Sequence, residues 1–185
     1  MDRNLKSYKI EGIVIKRLNY READKLVTVL TKNQGKIVLI AKGIRKINSR
    51  RAPHLELFND ISAYVTKGRS FDILTEVQTT QVHKEIKTDL NKVAFAYRIA
   101  EVIDRLCPER EDHYQIYLLC QKTLLQLNGS QGDKLKSLVE DFILELLIEL
   151  GYLPRENVVK GEELDRFLSE VMEKNLKSDS FLRKL

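Results

Sequence analysis

The sequence predicts an α+β protein: an all-β N-terminal half folded as a five-stranded barrel of the OB type, then an all-helical C-terminal half. Two patterns predict it. Short β-branched runs broken by turn residues fill the chain to about position 81. From position 82 the apolar period lengthens from two to near 3.6. The boundary places an OB-fold domain at 1–81 and a helical domain at 82–185.

Each strand has its own signature. Tyr8 to Lys16 is rich in Ile and Val and holds Gly12, a residue that marks a bulge or sharp bend inside a strand. Lys25 to Thr31 is the second strand and Lys36 to Lys42 the third, joined by Asn33-Gln34-Gly35, with Gly35 in the left-handed position. A loop from Gly43 to Pro53 follows, then strands at Leu57 to Thr66 and Phe71 to Gln81, joined by Lys67-Gly68-Arg69. Five short strands suit a small closed barrel. Strand count does not separate an OB barrel from an SH3-like one, and the OB type is the first choice.

In the second half, Val93, Tyr97, Ala100, Ile103 and Leu106 share a helical face that Pro108 ends. Tyr114, Leu118, Leu124, Leu125 and Leu127 mark a second helix, stopped at Asn128-Gly129. Asp133 is placed to cap a third, whose apolar residues from Leu135 to Leu150 lie on more than one face, as in a buried central helix. Gly151 is its C-terminal stop. Leu164, Phe167, Leu168 and Val171 form a last amphipathic helix with Glu162 and Glu163 in its first turn, and a polar tail from Lys177 is expected to fray.

Charge divides the chain in the same way. Residues 1–80 carry 16 Lys and Arg against 8 Asp and Glu, whereas residues 81–185 carry 16 against 19. The basic half suits a polyanion, the acidic half a protein partner. Between Lys32 and Arg51 there is no acid, and Lys32, Lys36, Lys42, Arg45, Lys46, Arg50 and Arg51 gather on one hairpin and its following loop. Such a cluster reads as a phosphate-binding surface, because each neutralised phosphate releases counterions. Tyr20, in a turn-like stretch, is the aromatic best placed to stack on a base; Tyr8, Phe58, Tyr64 and Phe71 read mostly as barrel core.

Catalytic readings find little support. No phosphate-cradling glycine loop is present, and His54, His83 and His113 lack metal-ligand spacing. Glu22 and Asp24 read as turn residues or partners of Arg21 and Lys25. Cys107 and Cys120 form no Cys-x-x-Cys pair and read as small buried side chains of a reducing cytosol. No enzyme activity, cofactor or metal is expected. No signal peptide is expected after Met1, and the most apolar helix is interrupted by Glu145 and Glu149, so no membrane span is expected.

The ordered series Gly12-Ile13-Val14-Ile15, Tyr20 to Thr28, Leu30-Thr31, Gly35-Lys36-Ile37 and Ala41 to Lys46 resembles the opening of the bacterial RecO family, and Leu150-Gly151-Tyr152-Leu153-Pro154 resembles that family's Gly-Tyr-x-Pro. The resemblance implies an OB-fold followed by helices. It implies a mediator of DNA repair and homologous recombination that binds single- and double-stranded DNA, anneals complementary strands and assists recombinase loading. It further implies work beside RecR and recognition of the acidic tail of single-strand-binding protein, in the bacterial cytoplasm at the nucleoid. A socket for that tail needs a cation beside an apolar face, for which Arg98, Arg105 and Lys122 are the candidates. Many members carry a four-cysteine zinc module after the Gly-Tyr-x-Pro; here residues 155–160 hold no cysteine. An RNA-binding module and a protein-interaction adaptor are the alternatives.

Overall fold

A computed structural model describes residues 7–157 and 159–172. The described residues fall into two compact units. The first runs to Val82 and takes in Glu109–Tyr114; the second holds His83–Pro108 and the chain from Gln115 onward. The expected fraying of the tail from Lys177 concerns residues outside those described.

The first unit is a closed barrel of β1 (Ser7–Tyr20), β2 (Asp24–Thr31), β3 (Lys36–Ala41), β4 (Asp60–Thr66) and β5 (Asp72–Gln81), in the order β1-β2-β3-β5-β4. β3 and β5 are parallel and every other pair is antiparallel. That order is the OB arrangement and decides against the SH3-like alternative. β1 is longer than the sequence suggested because it serves both sides of the barrel. Ser7–Ile13 pairs with β4 and Gly12–Tyr20 with β2. The bulge lies between Val14 and Lys16, not at Gly12. Gly12 answers a different need: a Cβ there would come within 2.5 Å of the Leu30 carbonyl oxygen and 2.6 Å of Val29 Cγ1. Val14, Val27, Val29, Ile37, Leu39, Ile61, Val65 and Leu74 fill the interior, closed by Ile44 and Leu55 from the connection between β3 and β4.

β4 starts three residues later than expected, because the chain turns at Leu57 and Phe58 before the strand begins; ahead of it, Ala52–Leu55 forms a 3-10 turn. Pro53 fits its first turn, where its fixed φ suits and no N–H is needed. Phe58 then takes φ +65°, and its N–H donates to the Val14 carbonyl while Val14 N–H donates to Asn59. Gly35 takes φ +61° as expected, and Thr31 ties the turn by donating its hydroxyl to the Gly35 carbonyl.

The second unit contains α1 (Lys84–Thr88), α2 (Leu90–Leu106), α3 (Tyr114–Gly129), α4 (Lys134–Glu149) and α5 (Glu162–Met172). α1 is an addition to the expected set. α2 is capped by the Asp89 carboxylate, which accepts from the Asn91 and Lys92 N–H groups. The buried faces match the expected ones in part. In α2, Ala100, Ile103 and Leu106 are inside as expected, joined by Ala96 and Ile99, whereas Tyr97 is exposed and Val93 half-buried. In α3, Ile116, Tyr117, Cys120, Thr123, Leu124 and Leu127 are inside, while Tyr114, Leu118 and Leu125 face outward. α4 buries Leu135, Val139, Phe142, Ile143, Leu144, Leu146 and Leu147, the wide apolar face of a central helix. Asp133 precedes it without making the expected capping bond. Gly151, at φ +77°, ends it by donating to Ile148, and Tyr152 donates to Leu147, the paired bonds of a Schellman stop.

Candidate nucleic-acid interface

The seven cations that are consecutive in sequence do not share one surface. β2 and β3 are antiparallel, so Lys32 and Lys36 lie at the hairpin end and Lys42 at the other. Six residues of β3 separate these ends by roughly 20 Å. Lys36 is only 6% exposed, and Lys32 lies 3.6 Å from the Glu11 carboxylate. The expectation of a continuous patch is thereby corrected: it counts charge along the chain, whereas a strand carries its two ends apart.

The remaining five gather on the connection from β3 to the 3-10 turn. Its path is fixed from inside. Ile44 is buried, Gly43 takes φ +66°, and the Gly43 N–H donates to the Asp24 carboxylate at 2.8 Å. Arg45 N–H donates to the Ala23 carbonyl, and the Arg45 guanidinium reaches the carbonyls of Arg21 and Glu22 at 3.3 and 3.0 Å. Arg51 spans the loop and the barrel, donating to the carbonyls of Lys42, Leu74 and Thr75. Asp24 is therefore a loop anchor rather than a partner of its sequence neighbours, and Arg51 is a brace.

Lys42, Lys46 and Arg50 stay exposed, and their side chains make no hydrogen bond or ion pair with another described residue. With Ala23, Asp24 and Arg45 they line an open hollow of about 1050 Å³. Ile47 stands at the loop tip, fully exposed. Arg21 sits in the β1–β2 turn at φ +53°, its guanidinium 5.1 Å from the centre of the Tyr20 ring. Tyr20 is half-buried and packs edge-on against Phe71, the ring centres 6.2 Å apart. Its ring therefore has less free face than the sequence suggested. Tyr64 is the better exposed aromatic, half its surface open on β4. A strand-alternation argument could have found it, because Ala63 and Val65 on either side of it point inward.

At the start of β5, the buried Asp72 carboxylate accepts from the Tyr8 hydroxyl at 2.6 Å, from Arg110 at 3.0 Å and from the Gly68 N–H at 3.2 Å, with Lys67 3.5 Å away. Burial pushes Asp72 upward, but these donors and the Lys67 charge outweigh it and hold the carboxyl at about 2. Burial, the hydrogen bond to Asp72 and its negative charge push the Tyr8 hydroxyl up to about 12. Arg110 belongs to the segment that returns to the barrel, where its N–H donates to the Lys36 carbonyl.

The helical candidates separate as well. Arg98 is buried and paired with Asp165; burial pushes its pKa down against the charges of Asp165, Glu101 and Glu140. Arg105 pairs with Glu101 at 2.8 Å. Neither is a loose rim cation. Lys122 is exposed and, with Leu118, Leu119, Glu145, Glu149 and Arg155, lines a hollow of about 440 Å³ between α3 and α4. Cys107 and Cys120 are buried and unbridged, and His83 is buried. No described helix is long and apolar enough to cross a membrane.

Strand order and the helical unit together define an OB-fold protein with a helical second part. The chain is matched over residues 5–83 by the family model Recombination protein O N terminal and over 87–158 by Recombination protein O C terminal. It belongs to the RecO family. Among its curated relatives, the DNA repair protein RecO of Symbiobacterium thermophilum is 36% identical over 147 residues, which are 80% of this chain and 58% of the relative. That of Roseiflexus sp. is 35% identical over 148 residues, 80% of this chain and 51% of the relative. That of Bifidobacterium longum is 30% identical over 166 residues, 88% of this chain and 69% of the relative. The chain thus spans little more than half the length of the first two.

Proposed function

We propose that this chain acts in DNA repair and recombination as a non-catalytic mediator that binds single- and double-stranded DNA and anneals complementary strands. Its relatives bear the name DNA repair protein RecO. The observation that carries the binding reading is the pinned basic loop: Lys42, Lys46 and Arg50 project from a backbone held by Asp24, Arg45 and Arg51. Cations whose side chains are not used internally, on a fixed backbone, bind phosphate with little ordering cost. Annealing follows if strands are held by their phosphates and their pairing edges stay free.

The partners proposed are RecR and the acidic tail of single-strand-binding protein. For the tail, the α3–α4 hollow is the proposed place: Leu118 and Leu119 offer apolar contact, and Lys122 and Arg155 stand against Glu145 and Glu149 in its lining. Arg155 is shared with Glu149 at 3.8 Å, so Lys122 is the first choice for a terminal carboxylate. The bacterial cytoplasm at the nucleoid is the proposed location.

The test is titration of labelled single-stranded DNA at several salt concentrations with the wild type and with Lys42→Ala/Lys46→Ala/Arg50→Ala. The variant is expected to bind more weakly and to flatten the log-affinity against log-salt slope by about 0.7 per lost phosphate contact. Unchanged affinity and slope, with normal circular dichroism, would place the DNA elsewhere. RNA competing as well as DNA would favour an RNA-binding module.

A further inference from the structure

Tyr64 is half exposed at the middle of β4. The barrel register sets Lys9 of β1 on one side of it and Glu76 of β5 on the other. Together with Ser62, Thr75 and Gln78 they floor a hollow of about 530 Å³, to which Arg50, Arg51 and His54 also contribute. Arg50 and Arg51 line this hollow and the one under the basic loop alike. The two concavities therefore form one path, from the loop tip, past Arg50, onto the outer face of β1, β4 and β5.

We propose that a single strand of DNA gripped at the basic loop continues along this path and stacks one base on the Tyr64 ring. The inference rests on the DNA-binding reading above and adds a base-contacting site to it. The chemistry fits that occupant. An exposed ring in the middle of a sheet offers a flat π-face, and stacking on it is tolerant of base identity. The surrounding charge favours phosphate. Lys9, Arg50 and Arg51 stand against Glu76 within the hollow. Lys9 is shared loosely with Glu11 at 3.7 Å, and Arg51 is engaged with backbone carbonyls, so Arg50 is the main phosphate contact. Glu76 is the one acidic residue of this lining, and it repels phosphate from its own position on β5. The hollow has room for a nucleotide without moving the sheet.

The chain has no tryptophan, so Tyr64→Trp installs a single fluorescent reporter. Single-stranded oligonucleotide is titrated into this variant while a label on the DNA reports binding independently by anisotropy. Tyr97→Trp, on the exposed face of α2, is the control. Quenching of the Tyr64→Trp indole that saturates with the anisotropy, without quenching in the Tyr97→Trp control, is the expected result. Binding by anisotropy with an unchanged indole signal in Tyr64→Trp, or with equal quenching in both variants, overturns the stacking site and leaves the basic-loop reading standing. Absence of binding by anisotropy in wild type and variant alike overturns both. In the same assay Tyr64→Phe should keep wild-type affinity and Tyr64→Ser should lose about five- to hundredfold, the range for one stacked base.

Discussion

At the scale of single residues, the loop separates two kinds of arginine that a charge count treats alike. Arg50 reaches outward, whereas Arg51 spends its guanidinium on three backbone carbonyls of two segments. A planar fork can bridge such acceptors; an ammonium cannot reach them together. Arg51→Lys, which keeps the charge, is therefore expected to lower stability by about 1 kcal/mol, a fall in Tm of about 2–4 °C for a chain of this size. It should also weaken DNA binding by loosening the loop. Equal Tm and equal affinity in thermal melts and anisotropy would show that Arg51 acts by charge alone. The sequence located the loop correctly because Gly43 and the run of cations are local signals. It could not reveal which cation is used internally, since Leu74 and Thr75 lie more than twenty residues away and meet Arg51 only once the barrel closes. For the same reason Asp24 read as a turn residue and proved to hold the Gly43 N–H.

At the scale of elements, strands were more legible than helix faces. Turn residues punctuate the strands, and two-residue alternation leaves only two faces to choose between. In α3 almost every position is apolar or amphipathic, so Tyr114, Leu118 and Leu125 made as good a stripe as the Ile116, Cys120 and Thr123 positions that are buried beside the expected Leu124 and Leu127. The packed neighbours decide, and the sequence does not display them. Capping shows the same limit. Asp133 has the right chemistry but makes no cap, while Asn128, at the end of α3, accepts from the Glu85 and Ile86 N–H groups of α1 at 3.0 and 3.3 Å. Its backbone carbonyl accepts from Lys92 at 2.8 Å. Asn128→Ala is expected to cost about 1–2 kcal/mol, because two N–H groups at a helix start lose their acceptor. Asn128→Asp should restore the acceptor and add a favourable charge beside the helix N-terminus and Lys92. Urea unfolding of the two variants gives the comparison; an Asp variant as unstable as the Ala variant would remove the capping role.

At the scale of the whole chain, the units are not two consecutive lengths of sequence. After α1 and α2 the polypeptide sends Glu109–Tyr114, which ends on the first residue of α3, back to the barrel unit. Glu109 forms an isolated parallel backbone β-bridge with Lys36, Arg110 N–H donates to the Lys36 carbonyl, and the Gly35 turn lies so close to Glu111 that a Cβ would meet its carbonyl oxygen at 1.7 Å. No local pattern could announce this return, since residues 109–114 are polar and carry no strand period. The fastening point is Asp72, held by Tyr8, Arg110 and the Gly68 N–H. Its pH dependence follows from the direction of its shift. The folded carboxyl titrates at about 2 against an ordinary 3.8, so its contribution is present above pH 4 and is lost as pH falls through 2. The shift corresponds to about 2 kcal/mol. Tyr8 moves the other way, to about 12 from 10.0, so its contribution holds below pH 10 and is lost as pH rises through 12. Asp72→Asn is expected to be less stable than the wild type by a gap that is constant from about pH 5 to 8 and closes between about pH 4 and 2, read as urea midpoints at each pH. A gap that persisted unchanged at the acid end would mean that the ionised carboxylate is not what fastens the returning segment. The complementary experiment is Arg110→Ala, which should bring the acid limb of the wild-type curve to higher pH, because Asp72 then keeps Tyr8 and the Gly68 N–H but loses its guanidinium partner.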